Sequence, residues 1–200
     1  MMVGMEQSEY VKYTRLEKKG GDYAAAMQLV KAGKAKVHDV NCVTMRSGEK
    51  ATLESVREYI FPTEYELPEL PSTIPPEKKF TVLPDIRIKV PTAFETRNLG
   101  TTLEFEPTLG EDGMSVDLRI EPEFIDPAGY ATWLKYKDEL GQADIKMPKF
   151  YTQRSRVGLT LMKGKFSLAN TFSGKDDEGK VDSSQKVLMF VMVEVVVLKH

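Results

Sequence analysis

Few residues in this chain of 200 could carry out metal or nucleophilic chemistry. There are two histidines, His38 and the terminal His200, and a single cysteine, Cys42. His38 and Cys42 fall in a predicted strand, where residues four apart share a face but are separated by about 13 Å. That is too far for both to bind one zinc ion. We expect no metal site here, and we expect the Cys42 thiol to be buried and to pack as a small hydrophobe.

Four carboxylates near the middle of the chain could share one face of a predicted hairpin, as the catalytic pair of a glycosidase does. They are Glu104, Glu106, Asp117 and Glu121. A solvated strand face is normally charged as well, and Arg119 lies between two of the acids, where it offsets their repulsion. We interpret this face as solvated rather than catalytic.

The two glycine-rich stretches do not have the pattern of a nucleotide site. The segments 19–22 and 109–113 lack both the phosphate-loop lysine and the strand-to-helix context. No residue pattern nominates a nucleophile with its base. The sequence therefore predicts a protein that is not an enzyme, with no catalytic residues, no cofactor and no metal.

Aromatic and basic side chains offer a binding surface instead. Phe150 and Tyr151 flank a small group of cations, a mixture that can bind a polyanion or a partner protein. A solvated strand face is the simpler alternative. Tyr130 and Trp133 could stack on a ligand. The candidate partner-binding residues are Tyr130, Trp133, Phe150, Tyr151, Arg154 and Arg156.

Composition excludes several classes of protein. With 41% hydrophobic and 29% charged residues, the chain has the make-up of an ordinary globular protein. Its net charge of -2 gives no long-range attraction to nucleic acid. One cysteine excludes an internal disulfide and does not indicate a compartment. No stretch has the three regions of a signal peptide, and the opening Met-Met-Val-Gly looks like an artificial start.

The clearest structural pattern lies in residues 98–124. From Met114 to Glu121, apolar and polar side chains alternate without a fault, which is typical of a half-buried strand. Residues 101–106 alternate in the same way, and the link 107–113 contains two glycines, an aspartate and a proline. The sequence therefore predicts an antiparallel hairpin here.

Helices are predicted at the start of the chain. The spacing of Tyr10 and Tyr13 suits a short surface helix, and the composition of 23–32 favours a second helix that stops at Gly33. Period-2 patterns then predict a hairpin across 35–64, although the end of this stretch would also suit a helix.

Seven of the eleven prolines lie between Pro62 and Pro91. Proline is excluded from central strands, so this connector is expected to follow an extended path over the surface. Residues 80–90 within it are apolar enough for an edge strand, or for two short strands.

The remaining predictions follow the central hairpin. We expect a turn and a short helix in 126–141, and a strand in 154–162 that forms a second hairpin with 165–169. Residues 171–185 are predicted to be a mobile hydrophilic loop. A strand buried on both faces closes the chain at 187–198.

Together these elements predict a mainly β fold with one or two N-terminal helices. The expected architecture is an antiparallel β-sandwich or partly open barrel of about seven to nine strands. The expected division is a helical segment at 1–34 and a β domain at 35–198, which contains the proline-rich connector 62–91.

Several blocks of the chain, in this order, are similar to the C-terminal homology domain of secretins, the outer-membrane channels of type II and type III secretion and of type IV pili. A helix precedes the hairpin block 43–53, and Asn98-Leu-Gly-Thr-Thr-Leu-Glu-Phe-Glu-Pro107 resembles the family's Val-Gly-x-x-Leu-x-x-x-Pro strand. The other matching blocks are 114–122, 147–157, 162–168 and 186–197. The resemblance covers roughly residues 22–198 and implies a secretin-like β domain.

Two departures from the family separate this chain from a channel. Residues 169–171 are Ala-Asn-Thr where secretins have Gly-Gly-Leu, and 173–185 is polar where they have an apolar lip that embeds in the membrane. The ring-building domains of secretins are not matched either. We therefore expect a soluble relative whose strands close on themselves.

The resemblance implies a non-enzymatic structural or accessory protein of a type IV pilus or secretion apparatus. It would be periplasmic or outer-membrane associated, and it would contact other components of that apparatus rather than nucleic acid. Association with the outer membrane would pass through those partners, and a homo-oligomer is compatible with this role. Exposed strand edges and the connector 62–91 are the expected binding elements.

The alternative function is a surface or secreted recognition module. Such an adhesin-like protein would bind a host glycan or receptor through loops such as 126–146. Tyr130 and Trp133 would be its stacking groups.

Overall fold

The structure is a computed structural model that describes residues 1–16, 23–66, 90–135, 137–138, 141–142, 144–176 and 179–197. These residues form two helices and eleven strands. The helices are α1 (Gln7–Leu16) and α2 (Tyr23–Lys31). The strands are β1 (Met2–Glu6), β2 (Ala35–Asp39), β3 (Ala51–Glu66), β4 (Val90–Leu109), β5 (Ser115–Leu134), β6 (Lys137–Asp138), β7 (Gly141–Gln142), β8 (Ile145–Arg154), β9 (Val157–Met162), β10 (Ser167–Lys175) and β11 (Val181–Val191).

Nine of these strands form two antiparallel sheets, and β6 pairs with β7 alone. The four-stranded sheet has the order β10-β11-β1-β2. The five-stranded sheet has the order β3-β4-β5-β8, and β9 pairs with the first part of β5 on the edge that β8 uses further along. Within the described residues neither sheet closes into a barrel. The predicted mainly β fold with N-terminal helices is confirmed.

Two hydrophobic cores hold three layers together. One core lies between the helices and the four-stranded sheet, where Val3, Tyr13 and Phe190 are buried. The other lies between the two sheets, where Ile120 and Leu161 of the five-stranded sheet pack with Met189. The two faces of β11 thus serve different cores, which is why Leu188, Met189 and Phe190 are all buried. The predicted closing strand at 187–198 is present and buried on both faces at 188–190, but the strand ends at Val191, and residues 192–197 are half-buried or exposed.

Helix α2 ends where the sequence predicts. Gly33 has a φ of +71°, and its N–H and that of Lys34 donate to the carbonyls of Val30 and Leu29. This pattern is a glycine C-cap, which satisfies the last carbonyls of the helix. α1 is the predicted first helix, but Tyr13 is buried in the helix-side core rather than on the surface.

Strand β1 is the main element that the sequence patterns did not predict. Met2–Glu6 lies between β11 and β2, so Met2 is paired with both Met189 and Asp39. Val3 is fully buried. The opening Met-Met-Val-Gly therefore packs with the core, and 1–34 holds a strand as well as two helices.

The predicted central hairpin is present as β4 and β5, and both strands are longer than the pattern indicated. The strands meet at the pair Leu109↔Val116, and Gly110 to Met114 form the turn. The Asp112 carboxylate accepts hydrogen bonds from the backbone N–H groups of Met114 and Ser115 and from the Ser115 hydroxyl, at 2.8–2.9 Å.

The predicted hairpin across 35–64 is wrong. β2 pairs with β1 in one sheet, and β3 pairs with β4 in the other, so the turn at 46–49 joins two sheets. The turn itself is confirmed, with Gly48 at a φ of +81° and its N–H donating to Pro107 O at 2.7 Å. A local pattern shows that a strand exists but not which strand it pairs with.

The prediction of a short helix in 126–141 is also wrong for residues 126–134, which belong to β5. Asp126 to Leu134 continue β5, and the register shifts between Pro127 and Tyr130. Gly129 has a φ of +77° at that point. The Asp-Pro-Ala-Gly sequence that favours a turn is here a bulge, which bends the strand without ending it.

The predicted hairpin of 154–162 with 165–169 is wrong, and most of the predicted loop at 171–185 is strand. The Lys163-Gly164 turn is present, but β10 pairs with β11 rather than β9. The turn therefore carries the chain from one sheet to the other. Within the predicted loop, residues 171–175 and 181–185 are the paired arms of the β10–β11 hairpin.

The proline-rich connector lies mostly outside the described residues. The edge strand predicted at 80–90 also lies outside them, apart from Val90, which begins β4. Its ends are strands, because Pro62 pairs with Phe94 and Pro91 pairs with Tyr65. β3 is an edge strand of the sheet, where proline is tolerated.

Candidate partner-binding surface

The β4–β5 ladder ends at the Gly100↔Ile125 pair, at the end away from the turn. Past that pair, the strands of the five-stranded sheet carry a cluster of aromatic side chains. Tyr59 and Phe61 of β3 contact Phe150 of β8, with ring centroids 6.0 and 5.6 Å apart. The Tyr59–Phe150 pair is edge-on, the geometry that aromatic quadrupoles favour. We call Tyr59, Phe61, Arg97, Tyr130 and Phe150 the distal aromatic cluster.

A cation covers part of this cluster. The Arg97 guanidinium of β4 lies 5.1 Å from the centre of the Phe150 ring, within cation–π range. One of its nitrogens also donates to Thr152 Oγ1 at 3.4 Å. Arg97 thereby joins β4 to β8, and its charge stays at the surface.

Two tyrosine hydroxyls join the cluster to β5. The hydroxyls of Tyr59 and Tyr130 are 2.8 Å apart, within hydrogen-bond distance. The hydrogen bond to Tyr130, with partial burial as the second cause, raises the pKa of Tyr59. The Tyr59 hydroxyl is therefore neutral at physiological pH. Both hydroxyls remain able to bond a partner's polar group.

Exposed apolar side chains are also found on the far halves of the same strands. Trp133 is 74% exposed and Tyr130 is 60% exposed. The other exposed large apolar residues in this region are Ile60, Val90, Phe94 and Leu134. Ile60 and Phe94 lie on the face of β3 and β4 opposite to Tyr59 and Arg97. Exposed aromatic and apolar side chains of this kind are available to a partner.

The six residues nominated from sequence fall into three places. Tyr130 and Phe150 belong to the distal aromatic cluster, and Trp133 lies three residues beyond Tyr130 on the same strand. Tyr151 faces the four-stranded sheet, where its hydroxyl is 3.4 Å from Ser173 O. Arg154 and Arg156 form ion pairs with Glu123 and Glu121 of β5. The structure therefore joins Tyr130 and Phe150 through Tyr59, separates Tyr151 from them, and places the two arginines in cross-strand pairs.

Sequence analysis did not nominate Tyr59, Phe61 or Arg97. They come from β3 and β4, at least 53 residues before Phe150 in the chain. The alternation of Tyr59 and Phe61 around Ile60 was a visible signal of an aromatic strand face. Their contact with β8 depends on sheet order, which no local pattern gives.

The four central carboxylates do share one face, and each has a cation or hydroxyl partner. Glu104 is paired directly with Glu121 across the hairpin. The Lys50 ammonium is 2.6 Å from Glu104, and this hydrogen bond raises the pKa of Lys50. Arg119 pairs with Glu106 at 3.2 Å. Asp117 accepts from Thr160 Oγ1 at 2.6 Å. This arrangement is that of a solvated ion-pair network.

Cys42 is exposed rather than buried, so the expected packing role is wrong. His38 lies against Gly4, at a distance that leaves no room for a Cβ on residue 4. Among the residues that the structure describes, no group of three or more His, Cys, Asp and Glu could hold a metal ion.

A cleft of about 620 Å³ opens between the two sheets on the side of β1 and β2. Tyr151 and Gln153 line one wall, and Lys186 donates to Ser173 Oγ at 2.9 Å near them. Lys175 pairs with Asp126 at 2.9 Å. The volume would accept a small ligand, but the cationic and anionic groups that line it are nearly balanced, so the cleft selects no ligand charge.

Comparison with models of protein families, with curated proteins and with solved structures gives no significant match. In the described part of the chain, neither helix has the length and apolar character needed to cross a bilayer.

Proposed function

We propose that this protein is a non-enzymatic structural or accessory component of a secretion or type IV pilus apparatus that acts by protein–protein contacts. The distal aromatic cluster and the exposed apolar residues around it would be its binding surface. The observation that carries this proposal is the exposure of Trp133 and Tyr130 at the far end of a rigid, multi-stranded sheet. Aromatic side chains held on a rigid element are typical anchors of protein interfaces.

The assignment to a secretion or pilus apparatus is supported by the secretin-like order of sequence blocks between residues 22 and 198. The compartment we propose on the same ground is the periplasm or the periplasmic face of the outer membrane. Partners would be other components of the apparatus.

Site-specific photo-crosslinking in the source cells tests this proposal. A photoreactive amino acid at Trp133 should give a crosslink to a secretion or pilus component. The matched control is the same amino acid at Val181, which is 65% exposed at the β10–β11 end of the other sheet. Identical crosslinks at both positions, or a crosslink from Trp133 to an unrelated class of protein, would contradict the proposal.

Light scattering with and without detergent tests the soluble, accessory character of the protein. We expect a species of small mass in both conditions. A large ring that inserts into liposomes would instead show that the chain forms a pore.

A second candidate function is a surface or secreted recognition module for a glycan or receptor. The specific observation that favours it is the 74% exposure of Trp133, since a flat aromatic ring can stack on a sugar. Binding on a glycan array that is lost in Trp133→Ala and kept in Phe94→Ala would support this function. No binding by the unaltered chain would exclude it.

A further inference from the structure

The five-stranded sheet divides into two ribbons in its far half. The β4–β5 ladder ends at the Gly100↔Ile125 pair, although both strands continue beyond it. From there β4 stays paired with β3, and β5 stays paired with β8. In the part of the chain that the structure describes, no backbone ladder joins one ribbon to the other. We call the first ribbon the arm (57–66 and 90–99) and the second the base ribbon (126–134 and 145–151).

Side chains of the distal aromatic cluster hold the arm on the base ribbon. Three groups of the arm contact the single ring of Phe150, namely the rings of Tyr59 and Phe61 and the guanidinium of Arg97. The Tyr59 hydroxyl also bonds that of Tyr130. This hydrogen bond and the Arg97 side chain are exposed to solvent, where such interactions are individually weak. These contacts form a latch, and Phe150 is the member that most of them share.

The base ribbon, in contrast, is fastened to the four-stranded sheet. The Lys175 ammonium of β10 pairs with the Asp126 carboxylate at 2.9 Å, and the Tyr151 hydroxyl donates to Ser173 O at 3.4 Å. Ala128, in the bulge of β5, is only 4% exposed. Within the described residues, the arm makes no hydrogen bond or ion pair with the four-stranded sheet. The base ribbon is therefore fixed, and the arm depends on the latch.

A glycine lies where the arm leaves the sheet. Gly100 has a φ of +131°, which residues with a side chain rarely adopt. A Cβ on residue 100 would lie only 2.2 Å from Ser55 O of β3. The close approach keeps β3 and β4 together, while the glycine backbone lets β4 turn away from β5. Such a position can absorb the changes of φ and ψ that a hinge needs.

We propose that the arm swings about Gly100 as one ribbon, between the closed position of this structure and an open position in which the latch is broken. Opening breaks no ladder between the ribbons, because the β4–β5 pairing has already ended. It gives up only the side-chain contacts of the latch, so the open arm is a minor state of the same fold. Opening uncovers the Phe150 ring beside Tyr130 and Trp133, which stay in place on the base ribbon.

The swing is a property of the chain alone, so it stands or falls independently of the proposed function. Distances between two spin labels in the full chain, measured by electron paramagnetic resonance, test it. The labels are placed at Glu64 of the arm and Lys146 of the base ribbon, which are both exposed, after Cys42→Ser has removed the native thiol. We expect a main short distance and a second distance longer by about 10 Å, or two strand spacings.

Phe150→Ala removes three latch contacts together and should raise the ratio of the long to the short distance by about fivefold or more. Arg97→Gln, at an exposed position where folding is not at risk, should raise it by a smaller factor. Labels at Thr52 and Thr160 are the matched control, because they span the same sheet where β4 and β5 are paired. They should give one distance in every variant.

Hydrogen exchange separates a swing of the arm from local unfolding. The amides bonded in the β3–β4 ladder should stay protected in Phe150→Ala, since the arm moves as a unit. Loss of that protection would overturn the inference. A single short distance in all variants, or an equal change at the control labels, would overturn it as well.

Discussion

Gly179, at the tip of the β10–β11 hairpin, lies directly on Ala128 in the bulge of β5. A Cβ on residue 179 would fall inside the van der Waals radius of the Ala128 methyl group, and Ala128 is only 4% exposed. Gly179 also has a φ of +73°. This contact joins the four-stranded sheet to the five-stranded sheet beyond the core that they share.

Gly179→Ala is expected to destabilise the fold by about 2–4 kcal/mol, the sum of left-handed backbone strain and overpacking. Gly129→Ala is the matched control, since Gly129 has a φ of +77° but open space around the position of a Cβ. It should cost only the strain, about 1 kcal/mol. Urea unfolding of both variants measures the difference. Equal losses would show that the Gly179–Ala128 contact contributes nothing.

Substitutions in the core between the sheets should lower the free energy of unfolding far more than substitutions at the edge of the sandwich. Leu161 is 1% exposed in the core between the sheets, so Leu161→Ala should lower the free energy of unfolding by about 2–5 kcal/mol. Leu109, at the end of β4, is 37% exposed. Leu109→Ala should lower that free energy by less than half as much. Thermal or urea unfolding of the pair checks this, and similar losses would mean that the core is not where we place it.

The turn between β4 and β5 should make stability depend on pH. The backbone N–H and hydroxyl donors of Ser115, with the N–H of Met114, hold the pKa of Asp112 below its usual value of 3.8. A carboxylate with a lowered folded-state pKa stabilises the fold above its unfolded pKa, and that contribution is lost as the pH falls through the folded pKa. Asp112→Asn should therefore be less stable than the unaltered chain at pH 7, and the difference should vanish in acid below the usual pKa of aspartate.

Glu111→Gln is the control for this experiment, because it removes the same charge one residue away. Its effect on the free energy of unfolding should be smaller than that of Asp112→Asn at neutral pH. A difference between Asp112→Asn and the unaltered chain that stays constant from neutral pH into acid would refute the role of the carboxylate.

The Tyr59–Tyr130 hydrogen bond should be visible in an alkaline titration. Ultraviolet absorbance of the unaltered chain should show one tyrosine that ionises later than an ordinary tyrosine, because the bond raises the pKa of Tyr59. Tyr130→Phe removes the bonding hydroxyl and should return that step to the ordinary range. Tyr65→Phe, on the same strand, should leave the late step in place. A late step that survives Tyr130→Phe would assign the shift to another group.

Local patterns predicted the parts of this fold that depend on neighbours in sequence. The stop of α2 at Gly33, the turn at Gly48 and the alternation from Met114 to Glu121 are each set by a few adjacent residues. Pairing between distant strands is not set in that way. The Lys163-Gly164 turn was predicted, but β10 pairs with β11, because Phe166 and Leu168 pack on the helix-side core.

The candidate surface was likewise predictable only where it depends on neighbours in sequence. Tyr130 and Trp133 were nominated as stacking groups of a predicted loop, and Phe150 because it flanks a group of cations. Tyr59 and Arg97 were not nominated, since they reach Phe150 across a sheet order that brings β3, β4 and β8 together. The Asp-Pro-Ala-Gly stretch predicted a turn where the structure has a bulge, because the same residues suit both.

The position of β1 has a consequence for how the chain reaches its native state. β1 is a central strand, and its partner β11 lies more than 180 residues later, with Met2 opposite Met189. During synthesis the five-stranded sheet can assemble from its own consecutive hairpins, whereas β1 must wait for β11 to emerge from the ribosome. Closing such a long loop is slow. The two halves of the sandwich should therefore mature at different times, with the four-stranded sheet last.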